Sequence, residues 1–470
     1  MPKKAVATFF LLAFLGAAIF IYFTFPRTKE EIPTSNNQRP FPSVPAPSPN
    51  APNGVPVPET VPHPNTPKVP PGPTLHVMAW ATGDEAQKLA AEADAFGDAT
   101  GRRASLTIDS DVATYRRDLK LAIASGSPPD VCLVSARDFS GLDPDRDLAD
   151  ATPAPDIDTA PRSLAAFTAD GHLKAVPDEF SVDVLFYNPS YFDQAGIGYP
   201  DRHWNWDILE ADARALQSLN LKDPTGQPIY PLELPANFDF WNILCTQAGH
   251  PALDLNVWHL SDVDTKESQM RALDFIHEIF QQLSVTAPLP KAGQPSGQLF
   301  AQQRVALLIA PSALDASLPS FPHAFTLLPE DMARASLAQV NGWAVPAPSS
   351  QIDAARALAG YLAWQPIHAG WSSVRKPVED TSPDAICYEA LGQALVPRIE
   401  PKNARMAQFL DQQINALARN GRQNTDDLYA RIQNEYQGDT SAPTISGSLP
   451  QASEQKPLPK IEAAPQLRGL

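Results

Sequence analysis

The sequence is poor in basic residues and lacks the short motifs of common catalytic sites. It has 36 Lys and Arg against 53 Asp and Glu, a formal net charge of −17. Nucleic-acid binding is excluded as a main function, because no basic stripe is available for phosphates. The chain has no P-loop, no Gly-x-Ser-x-Gly and no dinucleotide-binding glycine pattern. Its nine histidines show no metal-ligand spacing. We therefore expect neither an enzyme nor a bound metal or cofactor.

One pair of adjacent carboxylates, Asp178 and Glu179, invites comparison with glycoside hydrolases. Those enzymes use two carboxyl groups about 5 to 10 Å apart across a cleft. Neighbouring side chains in an extended segment point to opposite faces. The pair is therefore a poor candidate for hydrolysis.

Cysteine is scarce, with only Cys132, Cys245 and Cys387. A disulfide framework usually shows an even number of cysteines in a short chain. Here the three are far apart and two lie among apolar neighbours, so we expect buried thiols that pack as small hydrophobic groups. One disulfide remains the alternative.

An uncharged run of 21 residues, Ala5–Phe25, follows Lys3 and Lys4. About 20 apolar residues are needed to cross a bilayer as a helix. The run ends in bulky residues, whereas a cleaved signal peptide ends in small ones, and no cysteine follows for a lipid anchor. We predict a signal-anchor transmembrane segment over residues 1–25, with a cleaved signal peptide as the alternative. Either reading exports the remainder of the chain.

Proline is abundant, and 15 of the 50 prolines lie between Pro33 and Pro73. Such a segment favours polyproline II and cannot build a core. At roughly 3.1 Å per residue it would reach on the order of 100 Å. We predict a linker over residues 26–73 that acts as a stalk. The tail, residues 438–470, is rich in Pro, Ser, Ala and Gln and is expected to be disordered.

The remaining segment, residues 74–437, begins with alternating predicted strands and helices. The predicted strands are 74–80, 104–108 and 130–134, and the predicted helices are 85–99 and the segment that Asp111 caps. This alternation predicts a parallel α/β sheet. Ligands bind beyond the carboxyl ends of such strands, which here means Trp80–Asp84 and Ser135–Asp138. Further on, the patterns predict strands at 182–187, 305–309 and 324–328, and helices at 207–219, 266–283, 353–364 and 402–418.

Several blocks of sequence, in this order and spacing, form a recognisable set. They are Ala79–Asp84, Ala124–Val131, Leu185–Ile197, Trp204–Asp207, Asn341–Pro346 and Ala354–Leu362. Together they resemble the sugar-type extracellular solute-binding proteins of ABC importers, family 1, which are similar to maltose-binding protein. The resemblance runs over nearly the whole globular part. It implies an α/β, two-lobe periplasmic-binding-protein fold of type II, whose cleft closes by hinge motion. The first lobe would hold about 74–182 and 328–366, and the second about 183–327 and 367–437.

The resemblance also implies a set of cleft residues. Aromatic faces stack on sugar rings, and short polar groups bind the hydroxyls. The aromatic candidates are Trp80, Tyr115, Phe238, Trp241, Trp343 and Trp371, and the polar candidates are Asp84, Arg137, Asp138, Ser181, Asp183, Asn242, Asn341 and Ser372. Core packing is the alternative for any one aromatic, and a local salt bridge is the alternative for Arg137 and Asp138. Two positions depart from the family, because Ala310–Ala313 lacks a common aromatic and Ser181 replaces a common acidic residue.

These features predict a membrane-tethered monomer that faces the periplasm or the extracellular side. It would capture a small polar ligand, expected to be a carbohydrate, and deliver it to the transmembrane subunits of an ABC permease. Two alternatives stay open. One is a sensor or adaptor that uses the same closure, and the other is a scaffold that has kept the fold and lost the ligand.

Overall fold

The computed structural model describes residues 69, 71–151, 159–291, 296–379, 382–399, 403–420 and 424–438. All of them belong to one compact unit, His63–Leu470. The predicted signal-anchor, most of the predicted linker and the tail beyond residue 438 lie outside the described residues. Within the described part of the chain, no helix combines the length and the apolar character that a membrane crossing needs.

The described strands and helices alternate through the first part of the chain and become less regular later. The strands are β1 Leu75–Trp80, β2 Ala104–Asp109, β3 Val131–Ser135, β4 Thr168–Ala169, β5 His172–Leu173, β6 Ala175–Tyr187, β7 Tyr230–Glu233, β8 Leu253–Asp254, β9 Val257–Trp258, β10 Val305–Pro311, β11 Ala324–Thr326, β12 Ser336–Ala344, β13 Ser372–Ser373 and β14 Ala394–Leu395. The helices are α1 Gly83–Thr100, α2 Val112–Ala124, α3 Ala136–Phe139, α4 Pro144–Asp147, α5 Pro161–Ala166, α6 Pro189–Ala195, α7 Trp206–Ser218, α8 Phe238–Gln247, α9 Lys266–His277, α10 Gln298–Ala301, α11 Ile352–Leu362, α12 Pro383–Gly392, α13 Ala404–Arg419 and α14 Thr425–Gly438.

Local sequence explains where the first helices begin and end. Thr82 and Glu85 form a capping box at the start of α1, which satisfies backbone N–H groups that lack a partner in the first turn. Gly101 ends α1 with a φ of 76°, in the left-handed region that glycine adopts at low cost. The carboxylate of Asp111 accepts a hydrogen bond from the Thr114 backbone N–H at the start of α2. The predicted helices of this region are confirmed.

The main sheet has the strand order β2-β1-β3-β12-β6-β10-β7. Strand β1 runs parallel to β2 and β3, and β12 runs antiparallel to both β3 and β6. Strand β10 is antiparallel to β6 and parallel to β7. The predicted parallel α/β arrangement is therefore present at the start of the sheet.

One long strand, β6, passes through both parts of the sheet. Its first half pairs with β12, from Ala175 to Val182, and its second half pairs with β10, from Asp183 to Tyr187. The sequence pattern predicted only residues 182–187, because Pro177, Asp178 and Glu179 interrupt the apolar run. Both carboxylates are fully buried and bonded to β12 side chains, which is why the strand continues through them.

Two lobes follow from this crossing strand. The first lobe contains β1, β2, β3 and the halves of β6 and β12 that pair together. The second lobe contains β7, β10 and the other half of β6. One apolar core in the second lobe surrounds Trp241 and Trp258, while Trp343 and Phe96 share a core against β1 and β3 of the first lobe.

Residues 367–437 were expected to belong to the second lobe, but in the structure they divide between both lobes. Strand β13 pairs with β6 at Phe180 and Glu179, and α12 contacts β6, β12 and α5. Helices α13 and α14 pack instead on α9 and on each other in the second lobe. The chain therefore crosses once more between α12 and α13.

All three cysteines are free and buried, so the expected buried thiols are confirmed. Burial raises the pKa of Cys132 to about 12 and that of Cys387 to about 11. Burial also raises the pKa of Cys245.

Candidate functional site

A cavity of about 230 Å³ lies at the carboxyl ends of β1 and β3, beside β12. Trp80 ends β1, Ser135 ends β3 and Asn341 lies on β12, and all three line the cavity. This is the edge at which parallel α/β sheets bind ligands. The larger polar and aromatic side chains among the lining residues are those of Trp80, Trp371, Arg116, Arg137, Gln339 and Asn341.

Two indoles form the aromatic part of the cavity. Trp80 and Trp371 are both half-buried, and the imidazole ring of His368 lies near each of them. The ring centroids are 5.3 Å apart for Trp80 and His368 and 5.7 Å apart for Trp371 and His368. Exposed indole faces next to a cavity are the groups that stack on the C–H faces of sugars.

Two guanidinium groups supply hydrogen-bond donors, and each is already paired. Arg116 Nε lies 2.5 Å from Asp138 Oδ2, which also accepts a hydrogen bond from the Ser135 hydroxyl at 2.7 Å. Arg137 Nη1 lies 2.8 Å from Asp239 Oδ2 at the start of α8. Arg137 and Asp138 therefore pair with other residues rather than with each other. The paired charges favour a neutral, hydroxyl-rich ligand over a strongly charged one.

A buried polar layer lies beneath the cavity on β6. Asn341 Nδ2 donates to Glu179 Oε1 at 3.0 Å, and Glu179 also pairs with His368. On the other side of the strand, Trp343 Nε1 donates to Asp178 Oδ2 at 3.0 Å. Burial and the charge of Glu179 raise the pKa of Asp178 well above its usual range. These two influences favour the protonated form of Asp178.

A second acidic group lies where β6 passes between the lobes. Burial, and then the charge of Asp239, raise the pKa of Asp183 to about 7. The hydroxyl of Ser336 donates to the backbone carbonyl of Asp183 at 2.6 Å. The side chain does not line the cavity but lies close enough to Asp239 to sense the charge of that residue.

The structure brings together four of the predicted cleft residues, namely Trp80, Arg137, Asn341 and Trp371. Asp138 holds Arg116 at the cavity wall. The other nine residues do not line the cavity. They are Asp84, Tyr115, Ser181, Asp183, Phe238, Trp241, Asn242, Trp343 and Ser372.

The aromatic members of that set are core residues in this structure. Phe238, Trp241 and Trp343 are at most 1 % exposed. Trp241 Nε1 donates to the Gln269 carbonyl at 3.4 Å. Tyr115 is also buried, and its hydroxyl donates to the Leu133 carbonyl at 2.5 Å. The observed contacts of these aromatic residues are those of core packing, which is the alternative given above for any one aromatic.

The polar members have structural partners or face solvent. Asn242 is fully buried and accepts hydrogen bonds from the backbone N–H groups of Ala252 and Leu253. Ser181 accepts from the Ala313 N–H, and the Ser372 hydroxyl donates to Asp384. Asp84 is exposed in the first turn of α1. Whether any of these residues contacts a ligand stays a prediction.

Four residues of the site were not among the sequence candidates: Arg116, Gln339, Glu179 and His368. Arg116 lies one residue after the candidate Tyr115 on α2, but adjacent residues of a helix do not share a face, so the choice of Tyr115 did not indicate it. His368 follows α11 in a loop without periodicity. Only the pairing of that loop with β6 places it beside Trp80, and nothing local in the sequence indicates this.

A larger cavity, of about 390 Å³, lies beside β7 in the second lobe. Glu233, Lys291 and Arg304 line it, and no tryptophan does. It adjoins residues 292–295, which lie outside the described residues. We place the candidate site at the smaller cavity because the indoles and the buried polar layer converge there. In the described ranges, no group of three or more His, Cys, Asp or Glu side chains is placed to hold a metal ion.

The candidate site is thus a polar and aromatic cavity beside strands that join two lobes. The sequence model of the bacterial extracellular solute-binding protein family matches residues 79–363. The match covers more than half of the chain, and the chain belongs to this family. It is a family of binding proteins rather than enzymes. A search of curated proteins found no match.

Solved structures of such proteins share the fold. One is an ABC substrate-binding protein from Listeria monocytogenes in complex with cycloalternan, with 18 % identity and a TM-score of 0.63 over 79 % of this chain and 99 % of that chain. The cyclic α-maltosyl-1,6-maltose binding protein from Arthrobacter globiformis has 19 % identity and a TM-score of 0.64 over 78 % and 99 % of the two chains. The sugar-binding protein MalE from Xanthomonas citri has 19 % identity and a TM-score of 0.64 over 77 % and 96 %. The expected α/β two-lobe solute-binding fold is confirmed.

Proposed function

We propose that this protein captures a carbohydrate between its lobes, outside the cytoplasm, and delivers it to an ABC permease. The observation that carries the proposal is the pair of half-buried indoles, Trp80 and Trp371, that line one cavity with Arg137 and Asn341. Indole faces and short polar donors are the groups that recognise sugars. Hinge closure around β6 and β12 would bring the second lobe onto the ligand.

The similar structures favour one class of carbohydrate. Of the similar solved structures, one is bound with α-D-tagatose, whereas others are described with cycloalternan, maltose and maltotetraose, which are glucose oligosaccharides. We extend this class to the present chain, because its cavity has paired charges and aromatic faces rather than unpaired cations. An oligosaccharide of α-linked glucose is the ligand that we propose.

Membrane tethering is part of the proposal and depends on sequence alone. Residues 1–25 would anchor the chain, residues 26–73 would form the stalk, and residues 438–470 would be a disordered tail. The described unit would then work as a monomer held outside the membrane.

Isothermal titration of the full-length protein with maltotetraose tests the proposal. We expect binding to the wild type and about two- to tenfold weaker binding to Trp80→Ala and Trp371→Ala, because stacking contacts are worth about 0.5–1.5 kcal/mol each beyond their area. The matched control is Trp364→Ala. That indole is also half-buried, but it packs under the Arg375 guanidinium, 3.8 Å away, outside the cavity.

Thermal unfolding provides an independent check. A ligand at 100 times its Kd stabilises the folded state by about 2.7 kcal/mol, so maltotetraose should raise the Tm of the wild type. Absence of binding and of a Tm shift across maltose, maltotetraose and cyclic glucans would reject the ligand class. Equal losses in Trp364→Ala and Trp80→Ala would reject the assignment of the site.

A further inference from the structure

A buried histidine lies behind the two indoles of the cavity. His368 is 9 % exposed, and its Nδ1 pairs with Glu179 Oε1. The backbone N–H of His368 donates to the other carboxylate oxygen, Oε2, at 3.1 Å. Glu179 is fully buried on β6. The same carboxylate therefore holds both the ring and the backbone of His368, which limits its freedom to move.

The imidazole also connects the two sides of the aromatic surface. It contacts the ring of Trp80, at the end of β1, and the ring of Trp371, in the loop before β13. The Trp371 backbone N–H donates to the His368 carbonyl at 3.3 Å. Asn341, the polar wall of the cavity, donates to the same Glu179 carboxylate. Three cavity residues thus depend on one buried pair.

We infer that His368 is a positioning residue, which holds Trp80 and Trp371 in place for stacking on the ligand. The inference rests on the proposed function in one respect only, namely that the indoles bind a sugar. His368 acts on the ligand only through the two indoles, and the inference does not require contact between His368 and the ligand.

The charge of His368 follows from the groups that face it. Burial alone lowers the pKa of His368, but the hydrogen bond and the charge of Glu179, with the charge of Glu85, raise it above the ordinary value of 6.5. Behind Glu179, burial and the charge of Glu179 raise the pKa of Asp178, whereas the Trp343 hydrogen bond and the charges of Arg375 and Lys88 lower it. The raised pKa favours the imidazolium form of His368 beside Glu179. The fixed position that this pairing gives to the His368 ring is fully present below pH 6.5. It is lost as the pH rises through the raised pKa of His368.

The test combines ligand-free and ligand-bound measurements on the full-length protein. Tryptophan emission of the ligand-free wild type should change with a midpoint above pH 6.5, since His368 contacts two indoles. His368→Asn should lack this transition, and Glu179→Gln should lower its midpoint. Maltotetraose affinity, measured between pH 5.5 and 9, should weaken through the same midpoint in the wild type. In His368→Asn it should be about tenfold weaker at pH 6 and independent of pH over the transition.

Two controls separate His368 from other titrating groups. His259 also pairs with a carboxylate, Asp262 Oδ2 at 2.9 Å, in the second lobe, and His259→Asn should keep both transitions. Asp183→Asn removes the acidic group with a pKa of about 7 and should leave the emission midpoint unchanged. A transition that persists in His368→Asn, or one that disappears in Asp183→Asn, would overturn the inference.

The outcomes also distinguish this inference from the proposed function. If the wild type binds no glucan at any pH, the proposed function fails, while the ligand-free emission titration still tests the role of His368. If the His368 variants do not fold, the pH midpoint of tryptophan emission in the wild type still tests the inference. An emission titration with no midpoint above pH 6.5 in the folded wild type would reject the positioning role.

Discussion

The guanidinium of Arg137 and the carboxylate of Asp239 join the two lobes, with Nη1 and Oδ2 2.8 Å apart. Arg137 lies on α3, after the third strand of the first lobe, and Asp239 lies in the first turn of α8 in the second lobe. Both side chains are partly exposed, so the attraction is screened by salt and is worth at most about 1 kcal/mol. The pair therefore biases closure without locking it.

A double-mutant cycle on Arg137→Ala and Asp239→Ala should show coupling in maltotetraose affinity. We expect a coupling factor of at most about fivefold at low salt that disappears in 1 M NaCl. Calorimetry on the four proteins measures it. The control pair, Arg146 and Asp147, has an Nε–Oδ1 distance of 2.8 Å within the first lobe, and its cycle should show no effect on affinity. Coupling that survives high salt would contradict a screened contact.

Asp183→Asn should stabilise the protein more at high pH than at low pH. The folded-state pKa of Asp183, about 7, exceeds its ordinary value of 3.8 because of burial and the charge of Asp239. Between these values the folded state binds a proton that the unfolded state has lost, so the free energy of unfolding decreases as the pH rises from about 4 to about 7. Asparagine does not titrate. Denaturant unfolding at pH 4.5 and pH 8 should show a gain for the variant that is larger at pH 8, whereas Asp264→Asn, at an exposed position, should show none.

Asn242→Ala should lower stability and leave maltotetraose affinity unchanged. The amide accepts two backbone N–H groups and donates to the Leu253 carbonyl at 2.9 Å, all in the core of the second lobe. Leaving these groups without partners costs about 1–3 kcal/mol. The control Asn434→Ala changes an exposed amide on α14. Weaker maltotetraose binding by a folded Asn242→Ala variant would show that Asn242 belongs to the ligand site.

Gly370→Ala should disturb the loop that carries His368 and Trp371. Gly370 has a φ of +75°, and an added Cβ would lie 2.6 Å from the Ala313 carbonyl oxygen. We expect a lower Tm and weaker maltotetraose binding, because the loop must move away from the turn at Ser312–Ser317. Gly392→Ala is the matched control, since no atom lies within 4 Å of its added Cβ. Equal behaviour of the two variants would show that the loop position does not matter for binding.

The regular part of the fold was predictable because its signals are local. Apolar periodicity, the Asp111 cap and Gly101 place β1, α1, β2, α2 and β3 within a few residues. Strand β12 was not predicted as such, although Asn341–Pro346 carried the family resemblance. Helix α8, with its mixture of polar and aromatic residues, was also missed, because tertiary burial on all sides removes the periodicity.

The site was less predictable, since burial depends on the packing of distant elements. Trp80 and Trp241 have similar local surroundings of apolar and polar residues. Trp80 ends a strand at the cavity, whereas Trp241 lies on the inner face of a helix and is fully buried. Nothing in the local sequence indicates which of these two indoles remains accessible to a ligand. The partnership of Glu179 and His368 depends on contacts between residues 189 positions apart.

The three cysteines have a practical consequence for measuring closure. Their thiols are buried, and burial raises the pKa values, so they react slowly with reagents that need the thiolate. Thiol-directed dyes should therefore label the native cysteines of this chain only slowly. One new cysteine on each lobe, such as Gln87→Cys and Val263→Cys at exposed positions, would carry a donor and an acceptor fluorophore. Energy transfer between them would report the opening and closing of single molecules without removal of any native residue of the core.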